Sequence, residues 1–211
     1  MVTQVKRKII TACAAVLLVT VAVVAHYIFD PWGFYRKTSV EEAQLRLQVV
    51  EAAESYLGCN EADGSHEAII DLYNSHEPLA MDYEVQYTDS WCSTFVSAVA
   101  IQCRLTDIIP TECGCERQIG LFQEIGCWEE DDAAIPQPGD LIFYDWDESC
   151  FADCTGWSDH VGIVIGTKYP FVKVIEGNKD DSVTYRILLL NDIHIRGYAQ
   201  PDYDSMTENT P

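Results

Sequence analysis

The sequence predicts an α+β domain, helices first and an antiparallel sheet after them, behind a single membrane-crossing helix. Three observations predict it. Apolar residues recur at helical spacing up to about residue 125. After Pro136-Gln-Pro-Gly139 the apolar runs become short and rich in branched and aromatic residues. An uncharged run from Ile9 to Phe29 stands near the start. Helices in one block and strands in another are the order of an α+β fold, whose consecutive strands pair antiparallel.

In chain order, residues 1–8 form a basic tail with Lys6, Arg7 and Lys8. Residues 9–29 then give 21 positions without a charge. At about 1.5 Å per residue that length crosses a hydrocarbon core roughly 30 Å thick. The basic tail is expected to stay in the cytoplasm, which sets the rest of the chain outside the cell membrane. A cleaved signal peptide and a secreted domain form the alternative, with Val23-Val24-Ala25 as a poor cleavage site.

Residues 30–38 are a juxtamembrane linker, 39–203 the globular domain and 204–211 a polar tail. Ser39 and Glu42 have capping-box spacing. Val40, Ala43, Leu47, Val50, Ala53 and Leu57 supply a helical stripe that Gly58 stops. A second helix is expected from Ser65 to about Asn74. A third begins near Cys92, with Phe95, Val96, Val99 and Cys103 on one face. A fourth runs from near Glu116 to Ile125, ended by Gly126. Strands are expected at Leu141–Tyr144, Val161–Ile165, Val172–Ile175, Val183–Leu190 and Ile195–Tyr198.

The formal net charge is -21. Residues 38–211 carry eight Lys/Arg against thirty-three Asp/Glu. Such a surface repels phosphates and anionic headgroups, so nucleic acid is excluded as a partner. The nine cysteines of the chain include Cys59, Cys103, Cys113, Cys115, Cys127, Cys150 and Cys154, which are available for disulfides outside the cytoplasm. Cys113-x-Cys115 and Cys150-x3-Cys154 lack the two-residue knuckle of a zinc site. The acidic loop of Asp145, Asp147, Glu148 and Asp153 has no recognised calcium-loop spacing. No metal and no cofactor is expected.

Cys92 carries the chemistry. A thiol at a helix N-terminus meets unpaired N–H groups and the positive dipole end, and both favour the thiolate. His160 opens a strand, and Glu176 and Asn178 lie on the next one. A hairpin centred at Lys168 sets His160 opposite Glu176 and Val164 opposite Val172. A carboxylate beside an imidazole fixes its tautomer and stabilises the imidazolium. Donors for a tetrahedral oxyanion are expected from the Cys92 backbone N–H and from Gln86 or Tyr87. Trp91 either walls a substrate groove or packs in the core. Asp140 is expected to brace its turn.

Four motifs, Trp91-Cys-Ser-Thr-Phe-Val96, Pro138-Gly-Asp-Leu-Ile-Phe143, Asp159-His-Val-Gly-Ile-Val164 and Val174-Ile-Glu-Gly-Asn178, together resemble the CHAP family. Its members are papain-like, cysteine- and histidine-dependent amidohydrolases and peptidases that cut bacterial peptidoglycan. The resemblance covers about Val40 to Tyr203. It implies Cys92 as nucleophile, His160 as base, and Glu176 and Asn178 as the groups that orient the ring. The implied activity is an N-acetylmuramoyl-L-alanine amidase or a stem-peptide endopeptidase. Two other readings stand beside it: an idle CHAP-like domain that binds wall peptide or a partner, and a papain-like transpeptidase or deamidase.

Overall fold

The computed structural model describes residues 38–146 and 156–207. The predicted membrane segment, Asp147, Glu148 and Asp153 of the acidic loop, and Cys150 and Cys154 lie outside them. Among the described residues no helix is long and apolar enough to cross a membrane. The fold is α+β, as expected.

Helix α1, Val40–Glu54, starts where Ser39 accepts a hydrogen bond from the Glu42 N–H at 2.9 Å. The capping box is only half made. The Glu42 carboxylate turns instead to Arg46 Nε, 2.6 Å away. The buried face of the helix also differs from the expected stripe. Glu42, Arg46, Val49, Val50, Ala52 and Ala53 face inward, while Val40 is 68% and Leu47 41% exposed. Arg46 is buried because it serves three acceptors: Glu42, the Asp140 carboxylate at 2.8 Å and the Pro138 carbonyl at 3.0 Å. Asp140 also accepts from the Gln137 N–H at 2.7 Å, so it braces its turn as expected.

Helix α2, Glu67–Asn74, buries Ile69, Ile70 and Tyr73. Helix α3, Cys92–Cys103, buries nearly every residue rather than one face. Its polar positions are satisfied inside. Ser93 donates to Gln118 at 2.9 Å, and Ser97 donates to the Glu112 carbonyl at 2.7 Å while accepting from the Glu112 N–H. Helix α4, Cys115–Glu124, follows, and Gly126 after it takes a left-handed φ of 72°. A short helix α5, Tyr203–Thr207, lies in what the sequence predicts as the edge of the tail. The Tyr203 ring sits 4.6 Å beneath the Arg46 guanidinium.

The sheet comprises β1 (Trp128–Glu129), β2 (Leu141–Tyr144), β3 (His160–Lys168), β4 (Phe171–Lys179), β5 (Ser182–Leu189) and β6 (Ile195–Ala199). Every neighbouring pair is antiparallel, in the order β1-β6-β2-β3-β4-β5. Strand β1 is the one strand the sequence reading does not contain; two residues show no periodicity. The pleat divides the apolar residues into two clusters. Leu141, Phe143, Val161, Ile163 and Ile175 join the helices in the main core. Ile142, Tyr144, Val164, Val172 and Val174 form a second cluster with Ile195 and Tyr198.

The β3–β4 register differs from the expected one. Val164 pairs with Val174, not Val172. The hairpin closes on Tyr169 and Pro170, and a bulge lies between Val164 and Gly166. Continued three residues beyond Ile163 and Ile175, the inner register sets Gly162 opposite Glu176 and His160 opposite Asn178. The outer register, which pairs Lys168 with Phe171, would place Glu176 on the face away from His160 if carried through. The extra residue in the bulge restores the parity, and both side chains emerge on one face.

Candidate active site

Two glycines let the carriers of the site approach. A side chain on Gly162 would meet the Glu176 Cγ at 2.8 Å, so only glycine lets Glu176 lie across β3 toward the histidine. A side chain on Gly177 would overlap the Phe95 Cβ. Glycine there lets α3, which carries Cys92, close onto β4, which carries Glu176.

Cys92, His160 and Glu176 come together. His160 Nε2 lies 3.3 Å from Glu176 Oε2. With Nε2 held there, Nδ1 is the ring nitrogen left for the sulfur. Cys92 and His160 lie near enough for each to shift the protonation of the other. The histidine achieves this from the first position of β3, at the margin where α3 begins. The Tyr144 ring stacks on it at 5.8 Å, and Trp146 stacks on Tyr144 at 4.9 Å. Just before it, the Ser158 N–H donates to Glu116 of α4 at 3.0 Å, and Asp159 accepts from the Trp146 N–H at 3.1 Å.

Two further groups complete the cluster, and the sequence reading missed both. Arg186 of β5 donates to Glu176 twice, at 2.7 and 2.9 Å, and lies 4.6 Å from the Trp146 ring centre. Its sequence signal was a lone basic residue inside the apolar strand Ser182–Leu189. The second is Cys115, whose Sγ lies 3.6 Å from that of Cys92. No linear pattern links residues 23 apart on separate helices.

The electrostatics follow from these contacts. The Cys115 hydrogen bond lowers the Cys92 thiol most; burial opposes it; the hydrogen bond and charge of His160 and the Ser93 N–H lower it further. Cys92 is held well below an ordinary thiol. Cys115 is pushed well up, first by its hydrogen bond to Cys92, then by burial and the Cys92 charge. Of the two sulfurs, Cys92 is the one whose thiolate is favoured and Cys115 the one whose S–H is favoured. Burial pulls the His160 imidazolium down, but its bonds to Cys92 and Glu176 outweigh that and raise it to about 9. Burial raises Glu176, yet His160 and Arg186 hold it below the usual carboxylate range. These directions favour a thiolate on Cys92, an imidazolium on His160 and a carboxylate on Glu176.

Among the described residues, no side chain of the remaining expected site residues is hydrogen-bonded to Cys92, His160 or Glu176. Asn178 takes a left-handed φ of 57° where β4 slips its register with β5, and the imidazole's carboxylate partner is Glu176. The Gln86 amide donates back to the Glu84 carbonyl at 2.7 Å. The Tyr87 hydroxyl donates to Asp71 of α2 at 2.7 Å. Both oxyanion candidates are thus engaged by their own loop or by α2. Trp91 is fully buried, with its indole N–H on Glu61 at 3.0 Å and its ring 5.7 Å from His66, so it packs the core and walls no groove. The N-terminus of α3 is the oxyanion candidate that remains beside the sulfur. A cavity of about 350 Å³ is lined by Tyr83, Asp89, Ser90, Cys113 and Arg117, and none of Cys92, His160 and Glu176 lines it.

Comparisons with known families, curated proteins and solved structures return no match for this chain.

Proposed function

We propose that the chain is a cysteine amidohydrolase or peptidase of the CHAP kind, with a papain-like arrangement, that cleaves amide bonds in peptidoglycan. The single observation that carries the reading is a cysteine at a helix start gathered with a histidine that contacts a buried carboxylate at 3.3 Å, in surroundings that favour the thiolate and the imidazolium. A binding domain has no use for an ionised sulfur beside a charged ring, and burying such a pair costs stability. The order helix, then strands, with Cys92 before His160 and Glu176, also supports the family resemblance.

The chemistry runs in two halves. The Cys92 thiolate attacks the substrate carbonyl, and N–H groups at the start of α3 receive the oxyanion. His160 gives its Nδ1 proton to the leaving amine, and a thioester remains. His160 then takes a proton from water, hydroxide attacks the thioester, and the carboxylic acid leaves as Cys92 returns to thiolate. Glu176 fixes the ring and balances its charge throughout, and Arg186 holds Glu176. The substrate we assign is the stem peptide or its junction with the glycan. The N-terminal apolar segment would tether the domain to the outer face of the membrane, close to the wall.

Digestion of purified muropeptides, with new amino and carboxyl ends identified by mass spectrometry, tests this. Wild-type protein is expected to release new ends, and Cys92→Ala at least about 10³-fold more slowly. Identical fragments from both proteins would refute the hydrolase.

A further inference from the structure

We propose that Cys92 and Cys115 form a reversible disulfide, making the site a point of hydroperoxide modification in which Cys115 rescues an oxidised Cys92. The argument begins with placement. The two sulfurs are 3.6 Å apart, and each belongs to the first residue of a helix. A disulfide needs about 2.05 Å, so about 1.5 Å of side-chain motion closes the gap.

The approach is built in rather than incidental. Ser93 and Ser97 of α3 grip Gln118 and Glu112, which flank Cys115 on either side. The Glu112 carboxylate accepts from the Cys113 and Gly114 N–H groups at 2.7 and 3.1 Å and so fixes the turn that delivers Cys115. Cys113 is turned elsewhere, with its sulfur accepting from Arg117 at 3.5 Å. Both residues are buried, at 6% and 7% exposure, so each sulfur has the other as its near neighbour rather than bulk water.

The chemistry balances in two steps. The Cys92 sulfur attacks one oxygen of a hydroperoxide; the O–O bond breaks, sulfur is oxidised by two electrons to the sulfenic acid, and hydroxide or alkoxide leaves with a proton from solvent. The Cys115 thiol then attacks the sulfenic sulfur, the S–S bond forms, and water leaves carrying the Cys115 proton. A dithiol reductant restores both thiols by exchange. Without Cys115 the sulfenic acid is open to further oxidation, and the sulfinic and sulfonic acids are not recovered by dithiols. The consequence for hydrolysis rests on Cys92 being the nucleophile; the covalent chemistry does not.

The test is to treat the reduced full chain with hydrogen peroxide, cap remaining thiols and map peptides by mass spectrometry. Wild type is expected to lose about 2 Da in a Cys92–Cys115 linked peptide and to recover fully in dithiothreitol. Cys115→Ser is expected to gain about 32 or 48 Da on Cys92 and not to recover. Wild type that gains oxygen on Cys92 as fast as Cys115→Ser, or that links other cysteines and leaves Cys92 open to capping, would overturn the proposal. A linked pair in a protein that never cuts muropeptides would refute the hydrolase and leave the redox pair standing.

Discussion

At the scale of single residues, Glu176 has the most demanding position. It is fully buried, it serves His160 on one side and Arg186 on the other, and both partners favour its ionised form. The sign of its effect is fixed by the site. Burial pulls the His160 imidazolium down, and Cys92 first and Glu176 second outweigh it, raising the ring to about 9. Hydrolysis is therefore expected to fall as pH rises through about 9, when the proton for the leaving amine is lost. In Glu176→Gln the ring loses its negative partner and its pKa drops. The alkaline limb of kcat/KM should then move to lower pH, and kcat should fall roughly 10²-fold. An alkaline limb that stays in place would argue against Glu176 as the orienting group. Cys92, His160 and Glu176 were legible in the sequence because a helix start and strand alternation depend on neighbouring residues. Arg186 and Cys115 were not, since their contacts cross between elements.

Among elements, the contact of α3 with β4 decides whether the sulfur and the carboxylate meet the same ring. Gly177 is the point of contact, and a methyl group there overlaps Phe95. Gly177→Ala is expected to cost about 1–3 kcal/mol in urea denaturation. Its loss of hydrolysis should exceed what the residual folded fraction explains, because α3 moves relative to β4. Full activity in the folded variant would show that the contact does not position the site. The β3 bulge acts at this scale as well. Periodicity gave the strands and the shared face, yet the expected centre at Lys168 put Val164 opposite Val172 rather than Val174. The prediction of a shared face survived because the error was an even number of residues. A sequence pattern holds no marker for a one-residue bulge, whose signal is the geometry of the partner strand.

For the molecule as a whole, Arg46 ties the first helix to the turn before the sheet. It joins Glu42, Asp140 and the Pro138 carbonyl beneath Tyr203. Arg46→Met leaves Glu42 and Asp140 buried without their cation. The expected loss is about 3–5 kcal/mol, or roughly 10 °C in Tm, by thermal denaturation. A change of under about 1 kcal/mol would mean that the pair is solvated and holds little. By itself the sequence determined the α+β order, the four main helices and five of the six strands among the described residues. Those features depend on local periodicity and on chemistry that neighbouring residues carry with them. Only the tertiary structure decided that Trp91 is core, that Gln86 and Tyr87 are engaged elsewhere, that α1 faces inward through Arg46, and that Cys115 meets Cys92. Each of these depends on which surfaces meet when helices pack on a sheet, and those contacts join residues whose distance along the chain carries no information about their distance in space.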